Sequence, residues 1–169
     1  MKKYRMFFIL LPLVMVLFSC STMYVKPTIE PTLYRHEVPG NAELIFKAAL
    51  KVLPMMGYRI KGADADTGSI RTETFDVTVD PGDCDCGRAM GAPLIKSKGV
   101  KAKVHFIIIV SNGEIAVKSV IEPELTGVMS TLAAAGVNFT CVSKGGLERM
   151  FVNKLVDNMK KNALRMIFN

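Results

Sequence analysis

Four cysteines concentrate most of the chemistry this 169-residue chain could do. Cys20 stands alone behind an apolar block, whereas Cys84, Cys86 and Cys141 fall in the later sequence. Three thiolates completed by His105 or an aspartate would form a soft metal site, and the Cys-x-Cys spacing suits Cu(I) better than zinc, which usually takes Cys-x-x-Cys. In an oxidising compartment the same three residues would instead supply one disulfide, with Cys84–Cys86, Cys84–Cys141 and Cys86–Cys141 as the alternatives. A Cys-Asp-Cys ring is small and strained. A bridge to Cys141 closes a loop of about 55 residues and is worth about 4 kcal/mol in the loop-entropy account. Gly87 gives Cys86 backbone freedom, which favours Cys86–Cys141 and leaves Cys84 as a free thiol or alternative partner. The expectation is a disulfide with no cofactor and no metal.

Other reactive residues are dispersed. His36 lies in a proline-rich stretch and His105 on a strand, places where a lone histidine is more often solvated or structural than catalytic. Asp80, Asp83 and Asp85 cluster without an EF-hand spacing or its terminal glutamate, so they read as loop acids and not as a calcium site. Ser143-Lys144-Gly145-Gly146 could hold an anion at a helix start, but it lacks Walker spacing and reads as a cap. Lys96, Lys98, Lys101 and Lys103 read as a solvated strand edge, with contact to anionic lipid or glycan as the functional counterpart. Met55, Met150, Met159 and Met166 fall on helical faces and read as core. No catalytic residue is assigned, and a non-enzymatic protein is expected.

Cys20 has a distinct context. Every residue from Met6 to Phe18 except Pro12 is apolar, and Lys2, Lys3 and Arg5 precede the run. That arrangement is a secretory signal, too short for a comfortable membrane anchor. Its end, Leu17-Phe18-Ser19-Cys20, resembles the lipobox of bacterial lipoproteins, with Phe18 bulkier than usual. The resemblance implies cleavage before Cys20, a diacylglycerol thioether on its sulfur, and a further acyl chain such as palmitate on its amine. Several chains are needed because one gives only reversible attachment. Ser21, where an aspartate would signal inner-membrane retention, resembles outer-membrane sorting in a Gram-negative cell. Removing the leader takes three of the 22 basic residues and leaves 19 against 15 acidic ones, a net charge of about +4 in place of +7. The basic excess is then too small to argue for a nucleic-acid partner.

The elements that must position these residues divide the chain into a leader over 1–19, a lipidated N-terminus and tether over 20–40, and one domain over 41–169. Pro27, Pro31 and Pro39 punctuate the tether so that neither helix nor sheet ladder should run through it. Asn41 caps a helix in which Ile45, Phe46, Ala49, Leu50 and Leu53 recur at helical spacing, with Pro54 tightening its last turn and Gly57 as its stop. A strand around Tyr58–Lys61, a turn over Asp64–Gly68 and a β-branched strand over Ile70–Val79 form one hairpin. Residues 80–99 are loop. Two strands flanking Asn112-Gly113 form the clearest hairpin, with Val100, Ala102, Val104, Phe106, Ile108 and Val110 on one face. The opposite face carries Lys101, Lys103 and His105 and then turns apolar at Ile107 and Ile109, so that end should be covered or contact a partner. Residues 123–140 are rich in small residues, and Leu132–Gly136 is too short and too weakly patterned to be assigned an element. After a Ser143 cap, Leu147, Met150, Phe151, Leu155, Met159, Ala163 and Met166 or Ile167 make the stripe of a long final helix. The order helix, four strands, helix predicts an α+β, two-layer domain with a four-stranded antiparallel sheet beneath both helices.

The run from Ala42 to Thr72, with Phe46, Ala49, Leu50, Leu53, the Met56-Gly57-Tyr58 turn and Asp66-Thr67-Gly68-Ser69-Ile70, resembles the repeated domains of the BamC/NlpB-type lipoproteins. The resemblance covers about thirty residues and implies a helix-grip fold and a place in outer-membrane β-barrel assembly. Known members have two such domains, this chain has room for one, and its cysteines depart from their pattern. The expectation is therefore a lipid-anchored, non-enzymatic binding or assembly module of the cell envelope, attached to the membrane through Cys20 and facing the periplasm from the outer membrane if the cell is Gram-negative. Its partner would be another envelope protein. The alternatives are a module for a small apolar or lipidic ligand held between sheet and helices, and a thiol or copper protein.

Overall fold

In the computed structural model, the described residues are 24–89, 91–96, 99–124, 130, 133–134, 136 and 138–167, with side chains to 163. Residues 1–23, Cys20 among them, lie outside them, as do Lys98, Leu132, Ala135 and the side chains of Met166 and Ile167.

The hairpin around Asn112-Gly113 organises the fold. Strands β9 (Val100–Ser111) and β10 (Glu114–Pro123) pair antiparallel from Ser111↔Glu114 to Ala102↔Pro123. Along β9 the inward residues Ala102, Val104, Phe106, Ile108 and Val110 are buried in strict alternation, as a half-buried strand requires. Four further strands join this pair: β2 (Tyr34–Glu37), β3 (Ile60–Asp64), β4 (Ser69–Thr72) and β5 (Phe75–Val79). The sheet order is β2-β10-β9-β4-β3, and β5 continues beside β9 where β4 leaves it. All of these pairings are antiparallel.

The sheet thus has six strands where the sequence suggests four, for two physical reasons. The expected strand over Ile70–Val79 is broken. β4 ends at Arg71↔Ile107 and β5 resumes at Phe75↔Val104, which leaves one residue more on that side than on β9. At the break the Phe106 amide donates to the hydroxyl of buried Thr72 at 2.8 Å, so a side chain takes the place of the missing ladder carbonyl. The second reason lies in the segment read as tether. Tyr24–Val25 and Tyr34–Glu37 are strands β1 and β2, and Val38 is buried in the core. β2 fits between Pro31 and Pro39 at a sheet edge, where interrupted pairing is tolerated, whereas β1 precedes Pro27 and belongs to a separate small sheet.

Helices α1 (Ala42–Met55) and α2 (Gly146–Ile167) cover one face of the sheet. Asn41 caps α1 by accepting from the Leu44 amide at 2.9 Å, and the Asn112 carboxamide accepts from the Ala42 amide at 3.0 Å. The same hairpin tip therefore also holds the start of the helix. Pro54 sits inside the last turn without ending it. The turn closes one residue later, where Tyr58 N–H reaches Leu53 O and Gly57 N–H reaches Pro54 O, both at 2.9 Å, a Schellman arrangement. The main core joins Ile45, Phe46, Ala49, Val52 and Leu53 of α1, Phe151, Val152 and Leu155 of α2, and the inward residues of the sheet.

Not every residue of the expected helical stripes is core. Met55 is 68% exposed and Met150 43% exposed, while Met159 packs partly against the core. Val152, which the stripe omits, is fully buried. The lysines on β9 are also placed differently from the expectation. β9 is a central strand, so Lys101 and Lys103 stand on the uncovered sheet face and not on an edge. That face includes Ile109, which remains exposed.

Gly68 allows the β3–β4 turn to press against the hairpin. Its φ is 67°, and a Cβ there would lie 2.2 Å from the Val110 carbonyl oxygen, a contact no L-residue could accept.

Candidate functional site

The loop chemistry of residues 80–99 resolves into three short strands, β6 (Cys84–Asp85), β7 (Arg88–Ala89) and β8 (Ala92–Pro93). β6 pairs with β11 (Val142–Ser143), and Cys141 bridges to Ile121 at the end of β10. This register brings Cys86 opposite Cys141, and the two sulfurs lie at disulfide distance. Cys84 is free and buried, in a second core cluster with Val79, Ile95, Ala102, Val104 and Ile121. Burial, and then the carboxylate of Asp83, push its thiol up to about 11. Such a thiol holds almost no thiolate at neutral pH and is a poor partner for disulfide exchange.

His105 does not reach this cluster. It stands on the uncovered face of β9, while Ala102 and Val104, which pack near the cysteines, point the other way. Among the described residues no three His, Cys, Asp or Glu side chains converge as metal ligands. His36 is exposed and stacks on Tyr34 with ring centroids 6.4 Å apart.

The three aspartates hold the loop. Asp83 accepts from the Asp80 amide at 2.8 Å, Asp80 from the Gly99 amide at 2.8 Å, and Asp85 from the Gly87 amide at 2.8 Å. Asp85 also accepts from the Thr28 amide at 3.3 Å and thereby fastens the N-terminal segment. Gly87, at φ 77°, lies so close to the Val25 carbonyl that a Cβ would come within 2.2 Å of it. The freedom that the sequence assigns to orienting Cys86 also lets β1 cross this loop. Tyr24 completes the clamp: its hydroxyl accepts from the Thr140 amide at 3.1 Å and lies 3.2 Å from the Cys86 carbonyl oxygen, next to both ends of the cysteine pair.

Ser143 has a larger role than that of a cap. Helix α2 starts at Gly146, and the Ser143 hydroxyl accepts from the Gly145 amide at 3.0 Å and donates to Glu148 at 2.7 Å. Glu148 is only 2% exposed. Its other oxygen accepts from the Ser119 amide at 2.9 Å and from the Ser119 hydroxyl. One carboxylate thus ties α2, β10 and the segment entering α2. No buried side-chain polar atom among the described residues lacks a partner. The one available sequence signal for Glu148 is an acid in the first turn of a helix, where negative charge favours the N-terminus; nothing local says that β10 will close over it.

The interface between sheet and helices is filled by Phe106, Ile108, Val110, Ile115 and Val117. A cleft of about 370 Å³ lies instead on the outer side, between α1 and α2. Val38, Leu44, Ala48, Val156, Met159 and Ala163 give it an apolar lining, and Lys47, Lys51 and Lys160 complete its wall. Lys47 is paired with Glu43 at 2.6 Å. The expected final-helix stripe contributes Met159 and Ala163 to this cleft, and Lys160 comes from the side of that helix expected to face solvent. A cleft of this kind can receive an alkyl chain or an apolar side chain whose polar end meets cations.

No family model and no curated protein matches this chain.

Proposed function

We propose that this chain is a lipid-anchored protein of the bacterial envelope, attached through acylated Cys20, that acts as a non-enzymatic binding module with the cleft between α1 and α2 as its recognition surface. The observation that carries the reading is the cleft itself: about 370 Å³ of mainly apolar space on the helical layer of a fold whose interior is otherwise packed. The exported character of the leader supports the location, with the outer membrane facing the periplasm as its place in a Gram-negative cell. In that oxidising compartment the Cys86–Cys141 bond forms and locks the loop carrying β6 to the start of α2. We read the two helices laid across one face of an antiparallel sheet as helix-grip-like, in keeping with the resemblance to BamC/NlpB-type lipoproteins and with a role in outer-membrane biogenesis.

A photoreactive benzoylphenylalanine at Leu44, in the cleft wall, tests the reading in living cells. A discrete cross-linked species at Leu44, missing when the probe stands at Ile109 on the uncovered sheet face, is the expected result. Identical patterns at the two positions, or free monomer at both, would overturn it. Lipid extraction of the adduct separates a protein partner from a lipidic ligand.

A further inference from the structure

Resting on the lipid anchor proposed above, we infer that the outer face of the small β1–β7–β8 sheet lies on the bilayer that holds Cys20. Reach sets the limit. Tyr24 is fixed to the domain through its hydroxyl contacts with Thr140 and Cys86. Four residue steps separate Cys20 from Tyr24, and even a fully extended chain covers at most about 14 Å in that span. The headgroup layer takes up roughly 5–8 Å of the distance. The domain cannot stand away from the membrane, and the surface adjoining Tyr24 is the one held against it.

The chemistry of that surface suits the interface. Antiparallel pairing sets Tyr24 opposite Ala89, Val25 opposite Arg88, and Arg88 opposite Pro93. Tyr24 and Ala89 face inward, so Val25, Arg88 and Pro93 form one outward row. Val25 is 55% exposed and Ile29 38% exposed. Lys26 and Arg88 are exposed beside them, and Glu30 is the exposed carboxylate of the segment. Asp85 holds Thr28, and the Val25 carbonyl lies against Gly87, which fixes this arch on the domain. Apolar side chains entering the acyl boundary, with cations at the level of the phosphates, are the pattern of an anionic lipid contact.

The test uses the full mature lipoprotein, acylated in the bacterium and reconstituted into vesicles of phosphatidylethanolamine and phosphatidylglycerol. Nitroxide labels are placed through Val25→Cys and Ile29→Cys, with Met55→Cys on α1 and Ile109→Cys on the uncovered sheet as references. The buried, protonated thiol of Cys84 does not compete for label. Collision with oxygen relative to an aqueous quencher should be several-fold higher at positions 25 and 29 than at 55 and 109. Equal ratios at all four positions on an acylated chain overturn the inference and leave the anchor standing. Mass spectrometry of the same sample reads the anchor separately: an unacylated Cys20 removes both.

Discussion

Replacing Glu148 by alanine should lower the stability of the fold far more than replacing it by glutamine. The carboxylate accepts the Ser119 amide, the Ser119 hydroxyl and the Ser143 hydroxyl while 2% exposed. In Glu148→Ala both hydroxyls can rotate toward other acceptors, but the Ser119 amide points from β10 into the space the carboxylate vacated. An unsatisfied buried amide costs about 1–3 kcal/mol, and losing a hydrogen bond to a charged acceptor costs about 1.5–3 kcal/mol. Both figures describe the one Ser119 contact, so the cost is about 3 kcal/mol, a large share of the roughly 5–15 kcal/mol that holds a domain folded. With a urea slope of about 2 kcal/mol per molar, the unfolding midpoint should fall by about 1.5 M. Glu148→Gln keeps a carbonyl for Ser119 and presents an amide to the Ser143 oxygen, so it loses the charge assistance and turns the Ser143 proton toward another acceptor, and should cost about 1 kcal/mol. Urea unfolding followed by circular dichroism on the three proteins is the assay. A midpoint unchanged in Glu148→Ala, or equal losses in the two variants, would show that the carboxylate is not what joins α2 to β10.

Three further outcomes are expected. Gly68→Ala forces a left-handed φ and a Cβ overlap with the Val110 carbonyl, so it should cost about 3 kcal/mol in thermal or urea unfolding, whereas a well-accommodated alanine would be near neutral. Replacing Cys86 and Cys141 together by serine opens a bridge of sequence separation 55 and should cost about 4 kcal/mol by the same unfolding measurement. Because the Cys84 thiol titrates at about 11 in the fold, a thiol reagent at neutral pH should label it about a hundredfold more slowly than an ordinary cysteine and at the normal rate once the chain is unfolded. The folded state holds this proton more tightly than the unfolded one, so the group's linkage lowers stability as pH rises from about 9 to 11.

The parts of the fold legible in the sequence are those where a local pattern and the tertiary environment agree. Alternation along β9 and the Asn112-Gly113 turn define the central hairpin, because a period of two admits one buried face. Asn41 and Gly57 mark the limits of α1 because capping is satisfied within a turn. Where side chain and backbone exchange roles, the pattern gives no warning. Thr72 replaces a ladder carbonyl and divides one apparent strand into β4 and β5. β2 is hidden among prolines, since pairing with β10 is decided by a strand about eighty residues further along. Met55 and Met150 fit a helical stripe yet are exposed: Met55 ends α1 beside Asn158 of α2, and helical spacing does not record which turns the sheet will cover.

The candidate sites divide in the same way. The residue order alone supplies the apolar block before Cys20, the isolated Cys20 itself and the three remaining thiols, since the chemistry a residue can do is written in its type and short spacings. It also supplies the α+β order, through hydrophobic periodicity. Tertiary structure alone brings Cys86 beside Cys141 while burying Cys84, turns Asp80, Asp83 and Asp85 into supports for the loop, and encloses Glu148 between helix and sheet. It also opens the cleft on the outer side of the helices and not beneath them. Each of these depends on groups far apart in the chain, and the free energy of a buried charge, thiol or apolar wall is set by the neighbours that folding brings to it.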